Sequence, residues 1–154
     1  MTTGQPEITE KDIPPLLIAG VRMQGKYCDC GKAFATIGRR LGRHVRGHAM
    51  CLFYDGEYRA EDANFEPCLP LGKNVQAEGV SVRELPAAHC LTLLHIGPYE
   101  ELRHSYARLR DYVQNHGLEI SLPTREVYLK GPGMFFRGNP KKYVTEIQLP
   151  LKLV

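Results

Sequence analysis

Residues 97–113, GPYEELRHSYARLRDYV, repeat the layout of residues 25–41, GKYCDCGKAFATIGRRL. Each stretch leaves a strand-like run through a glycine, carries a tyrosine two residues later and continues into an amphipathic helix. Placing Gly25 on Gly97 pairs Tyr27 with Tyr99, Phe34 with Tyr106, Ile37 with Leu109 and Leu41 with Val113, so the apolar helix positions coincide. Further on, FEPCLPL (65–71) matches TEIQLPL (145–151), pairing Glu66 with Glu146 and Pro70 with Pro150. Matching order together with matching periodicity identifies an internal duplication. The second copy is the longer, and its extra length falls in KGPGMFFRGNPKK (130–142), where three Gly and two Pro between strand-like runs mark a loop.

Each copy reads as strand, helix, strand, strand. In the first, LLIAGVRM (16–23) is strand-like and a helix is predicted over 32–46, stopped by Gly47. On a wheel of 100° per residue, Phe34, Ile37, Leu41 and Val45 fall within roughly 80° of one another, with Arg39, Arg40, Arg43 and Arg46 opposite. In the second, Leu102, Tyr106, Leu109 and Val113 form the same stripe; Pro98 suits a first helical turn and Gly117 a stop. The strands that follow are MCLFY (50–54) and FEPCLPL, then REVYLK (125–130) and YVTEIQLPL (143–151), and VSVRELPAAHCLTLLHIG (80–97) opens the second copy. The expected class is α+β: two pseudo-two-fold β-α-β-β units, 16–77 and 78–154, with the helices on one face of an antiparallel sheet. They form one domain over 15–154, preceded by a polar leader at 1–14.

The composition is that of a water-soluble domain. A chain of 154 residues, 43% hydrophobic and 24% charged, can bury one substantial core, and no apolar run approaches the ~18 residues of a membrane span. The polar start, MTTGQPEITEKD, lacks the pattern of a secretory signal, so a cytoplasmic location is expected. Five scattered cysteines fit reduced thiols. A net charge of +3 is too small to indicate nucleic-acid binding. Cys28 and Cys30, with His44 and His48, lack the second close pair of a structural zinc site, so neither metal nor cofactor is expected. The arginine face of the first helix reads as solvated surface or as a contact for an acidic partner.

Alternation in the last strands proposes a site. Thr145, Ile147, Leu149 and Leu151 lie on one face of YVTEIQLPL, with Glu146 and Gln148 on the other. In REVYLK, Val127 and Leu129 oppose Glu126 and Tyr128. If the aliphatic faces meet the helices, Glu126, Tyr128, Glu146 and Gln148 share the far face, either as a wetted surface or as part of a binding cleft.

The runs HIGPYEELRHSYARLRDYVQNHGLE (95–119), PTREVYLKGPG (123–133) and NPKKYVTEIQLPL (139–151) resemble the GyrI-like family, which includes effector-binding domains of AraC-type and MerR-type multidrug regulators. The resemblance implies a ligand cleft between the two halves, lined by aromatic rings around buried glutamate, for apolar ligands that are often cationic or aromatic. Glu126 and Glu146 match the family's glutamate positions, and Tyr54, Tyr58, Tyr99, Tyr128, Phe135 and Phe136 are available for the lining, the last two as a lid. Tyr106, in the helix stripe, is assigned to the core. With no DNA-reading module before it, the chain reads as a stand-alone member, without direct contact to nucleic acid or membrane. Drug or toxin binding is the leading reading. Hydrolysis of cyclopropane-bearing electrophiles by Glu146 or Glu126 with Tyr99 is an alternative, and protein contact with DNA gyrase or a regulator is another.

Overall fold

The computed structural model describes residues 5–132 and 138–152. In chain order these form β1 (Thr9–Ile13), β2 (Leu16–Gly20), β3 (Met23–Gly25), α1 (Cys30–Leu41), β4 (Met50–Phe53) and β5 (Ala63–Pro70). They continue as β6 (Ser81–Leu85), β7 (Ala88–Ile96), α2 (Leu102–Asn115), β8 (Thr124–Lys130) and β9 (Val144–Pro150). One curled antiparallel sheet runs in the order β1-β7-β9-β8-β4-β5-β2-β6, with β3 also paired to β5. The order is symmetric about the β8–β4 pair, so the two copies meet along that seam.

The expected polar leader is a correction. Thr9–Ile13 pairs with β7, and β6, the opening strand of the second copy, pairs with β2 of the first. Each copy therefore lends its first strand to the other. TEKDI was read as leader because its side chains are polar; an outermost strand needs no buried face, and charge at a sheet edge discourages unwanted pairing. The long run opening the second copy breaks at Pro86, which cannot donate to a ladder. Helix α1 ends at Leu41 rather than Arg46. A single 3-10 turn follows, after which Val45 turns extended and bridges to Leu71.

The centres of the helix stripes pack as periodicity requires, whereas Phe34, expected in the α1 stripe, is half-buried and Ala33 is buried in its stead. Ile37 and Leu41 of α1 meet Ala19 and Leu71, while Leu109 of α2 meets Leu91, Leu93, Ile147 and Leu149. The sheet's other face is apolar as well: Ile18, Met50, Leu52, Cys68 and Leu85 form a buried cluster there, with Val127 against it. Alternation alone therefore could not say which face of β8 meets the helices. Register decides it, because directly opposed residues share a face. Glu126 opposes Ile147 and Tyr128 opposes Thr145; Val127 opposes Glu146 and Arg125 opposes Gln148. Glu126 and Tyr128 thus lie on the helix side, and Glu146 and Gln148 on the other. The expectation that all four share one face is overturned.

Candidate functional site

The two Gly-x-Tyr turns bring the site together. Gly25 and Gly97 adopt φ of 153° and 133°, a region that L side chains rarely enter, and so release β3 and β7 into the turns before α1 and α2. Tyr27 and Tyr99 open those 3-10 turns. His95 braces the second: its Nε2 donates to the Pro98 carbonyl at 3.0 Å, and Nδ1 lies 2.8 Å from the Ser105 hydroxyl on α2. The strand end, the turn and the helix are thereby tied together next to Tyr99.

Glu126 lies on β8 at the seam, opposite Cys51 of β4, and is 7% exposed. Tyr106 of α2 donates a short hydrogen bond to its Oε2, and Tyr128 donates to Oε1 at 2.9 Å. Among the described residues no Lys, Arg or His forms an ion pair with it. Burial pushes its carboxyl above the ordinary range, and the two tyrosine hydrogen bonds only partly counter this. The same burial, reinforced by the Glu126 charge, raises both tyrosine hydroxyls well above their usual value.

Aromatic rings surround this carboxyl from both copies. Tyr99 meets Tyr128 edge-on at 5.8 Å and tilts against Tyr143 at 5.2 Å. Across the seam, Tyr27 contacts Phe65 at 5.3 Å, Phe53 at 5.6 Å and Tyr58 at 5.7 Å. The Tyr99 hydroxyl is pushed up to about 12, first by burial and then by Tyr143 and Glu126; Cys30, at the start of α1, adds to it. Burial likewise raises Tyr27, with a smaller contribution from Glu126. Cys51 of β4 lies directly opposite Glu126, its thiol also pushed up by burial. The result is a carboxyl without a counter-charge among the described residues, held by the Tyr106 and Tyr128 hydroxyls and within electrostatic reach of Tyr27 and Tyr99.

The other anticipated residues separate from it. Glu146 accepts from Lys11 at 2.9 Å and from Gln148 at 2.7 Å on the opposite face. Tyr54 belongs to a second polar cluster on that face, centred on Glu66, the repeat partner of Glu146. Glu66 accepts from Tyr54 at 2.7 Å and from Arg83 at 2.7 and 2.8 Å, and Arg22 stacks over the Tyr54 ring at 3.4 Å. Tyr58 is 79% exposed and meets the Tyr27 ring at 5.7 Å. Phe135 and Phe136 lie outside the described residues. The structure adds Tyr106, Tyr27 and Tyr143 to the site. Tyr106, assigned to the core, does pack beside Leu109, but its hydroxyl reaches past the stripe to Glu126. Tyr27 was visible as the repeat partner of Tyr99.

The model of the GyrI-like small molecule binding domain matches residues 6–152. Among solved structures, the EcmrR C-terminal domain is 25% identical over 97% of this chain and 99% of that one, with a TM-score of 0.83. SAV2435 bound to tetraphenylphosphonium is 15% identical over 95% of this chain and 94% of that one, with a TM-score of 0.67. A hydrolase from Listeria innocua is 15% identical over 97% and 94%, with a TM-score of 0.70. The last two likenesses bear on the fold alone. No curated protein matches the chain.

Proposed function

The chain belongs to the GyrI-like family of small-molecule-binding domains, and from that premise we propose that it binds or sequesters an apolar aromatic cation at the β8–β4 seam, with Glu126 as the charge-reading residue. The observation that carries this reading is the buried Glu126 carboxyl, hydrogen-bonded to Tyr106 and Tyr128 with no cationic partner among the described residues. Burying an ionised carboxylate is costly unless it is paired. An organic cation supplies the missing charge, and the faces of Tyr27, Tyr99 and Tyr128 add cation–π attraction to it. The likeness to SAV2435 bound to tetraphenylphosphonium, a lipophilic aromatic cation, is consistent with this chemistry. Drug or toxin sensing, or resistance by sequestration, is the role that such binding would serve.

A second reading rests on the same carboxyl. With its pKa raised by burial, Glu126 is a stronger base than an ordinary carboxylate and a candidate general base, with Tyr99 or Tyr128 to hold a water or a carbonyl. Hydration of a strained electrophilic ring would follow from that arrangement. A thermal-shift screen against aromatic cations and cyclopropane-bearing electrophiles, followed by product analysis of each hit, separates the two. Aromatic cations that stabilise the protein and are recovered unchanged fit the binding reading; a hydrated product from an electrophile identifies an enzyme. Failure of every aromatic cation to stabilise the protein contradicts the first reading.

A further inference from the structure

Arg125 and Glu126 are consecutive on β8 and so project to opposite faces of the sheet. Arg125 is 5% exposed. Its Nη2 donates to the Pro86 carbonyl at 3.2 Å, while Nε is buried without a hydrogen-bond partner among the described residues. The carboxylates of that face are already engaged, Glu66 by Arg83 and Tyr54, and Glu146 by Lys11 and Gln148. Arg125 therefore mirrors Glu126: a buried ionisable group with no counter-charge among the described residues. Burial draws its pKa below the ordinary arginine value, the direction expected of a cation short of a partner.

Arg125 lines a cleft of about 240 Å³ together with Leu16, Met50, Val127 and Gln148, and the exposed Arg46 and His48 also line it. We propose that this cleft is a second ligand site, distinct from the Glu126 site, and that it takes a small carboxylate with a short apolar tail. A guanidinium offers a planar fork of donors that matches a carboxylate. Leu16, Met50 and Val127 then receive the tail. The volume is below the ~300–1,000 Å³ of sites for drug-sized ligands, which favours a compact molecule. A carboxylate with a tail is favoured over inorganic phosphate, because Leu16, Met50 and Val127 offer apolar contact that phosphate cannot use.

Titration of the wild-type protein with hexanoate, followed by methyl NMR and calorimetry, tests the site. Binding should shift the methyl resonances of Leu16, Met50 and Val127. Arg125→Met should weaken hexanoate at least tenfold, and Glu126→Gln should leave it within twofold of wild type. If Arg125→Met does not fold, Val127→Phe, which narrows the cleft and keeps the arginine, should produce the same loss. The proposal is overturned if hexanoate leaves these methyls unmoved, if a folded Arg125→Met or Val127→Phe binds it as tightly as wild type, or if inorganic phosphate binds equally well. A loss of hexanoate binding in Glu126→Gln equal to that in Arg125→Met would also overturn it, by placing the anion on the wrong face.

Discussion

Two buried glutamates show how surroundings set the behaviour of one residue type. Glu66 and Glu126 both lie inside the protein, yet their carboxyls shift in opposite directions. Burial raises each. At Glu66 the hydrogen bonds and charge of Arg83, with Tyr54, outweigh burial and bring the pKa below its ordinary value; at Glu126 only neutral hydroxyls oppose it. The consequences for stability are opposite. A raised folded pKa means that the native state holds its proton longer than the unfolded chain does, so the Glu126 contribution to stability falls as pH rises from about 4.5 through the folded value. Chemical denaturation across pH 4–8 should therefore show Glu126→Gln gaining on wild type as pH rises. Glu66 contributes stability above its unfolded pKa and loses it as pH falls through the lower folded value. Glu66→Gln should cost about 1–3 kcal/mol at neutral pH, since Arg83 is part-exposed and not stranded in the core. Gly20→Ala should cause a comparable loss, because a Cβ there collides with the Glu66 carboxylate. Strand alternation and family likeness both put Glu126 forward as a site candidate, whereas its face and its partner Tyr106 depended on register and on the rotation of α2, neither of which residue alternation encodes.

At the level of elements, the helices were the legible part. Leu109 and Ile37 stand at the centre of stripes whose 3.6-residue period has no competing interpretation, and both are fully buried. Strand faces were less legible. Ile18 and Ala19 are adjacent, both buried and on opposite sides of the sheet, so the usual polar-versus-apolar cue fails in a sheet covered by helices on one side and curled over an apolar cluster on the other. Strand β1 was hidden for the converse reason: it buries almost nothing. Its ties include the ladder to β7, the Thr9–Thr92 hydroxyl contact at 2.8 Å, the Lys11–Glu146 pair at 2.9 Å and the contacts of His89 with Asp12 at 2.7 Å and Glu10 at 3.5 Å. Removal of residues 1–13 should cost about 2 kcal/mol, or roughly 4–8 °C in Tm. It should also expose the β7 edge, and sedimentation should detect association that the full chain does not show.

The whole molecule explains why the chain carries its motif twice. A single β-α-β-β unit presents one wall. Two units joined at β8–β4, each lending an opening strand to the other, bring Tyr27 of one copy and Tyr99 of the other within electrostatic reach of one carboxyl. The central claim, that Glu126 reads the charge of an aromatic cation there, is tested most directly by calorimetric titration of wild type, Glu126→Gln and Glu146→Gln with tetraphenylphosphonium and with neutral triphenylphosphine oxide. Loss of one charge-assisted contact should cost about 1.5–3 kcal/mol, so Glu126→Gln should weaken tetraphenylphosphonium about ten- to a hundredfold while changing the neutral compound little. Glu146→Gln, altered on the far face, should leave both within twofold of wild type. Equal losses for the two ligands in Glu126→Gln, or a selective loss of the cation in Glu146→Gln, would contradict the account.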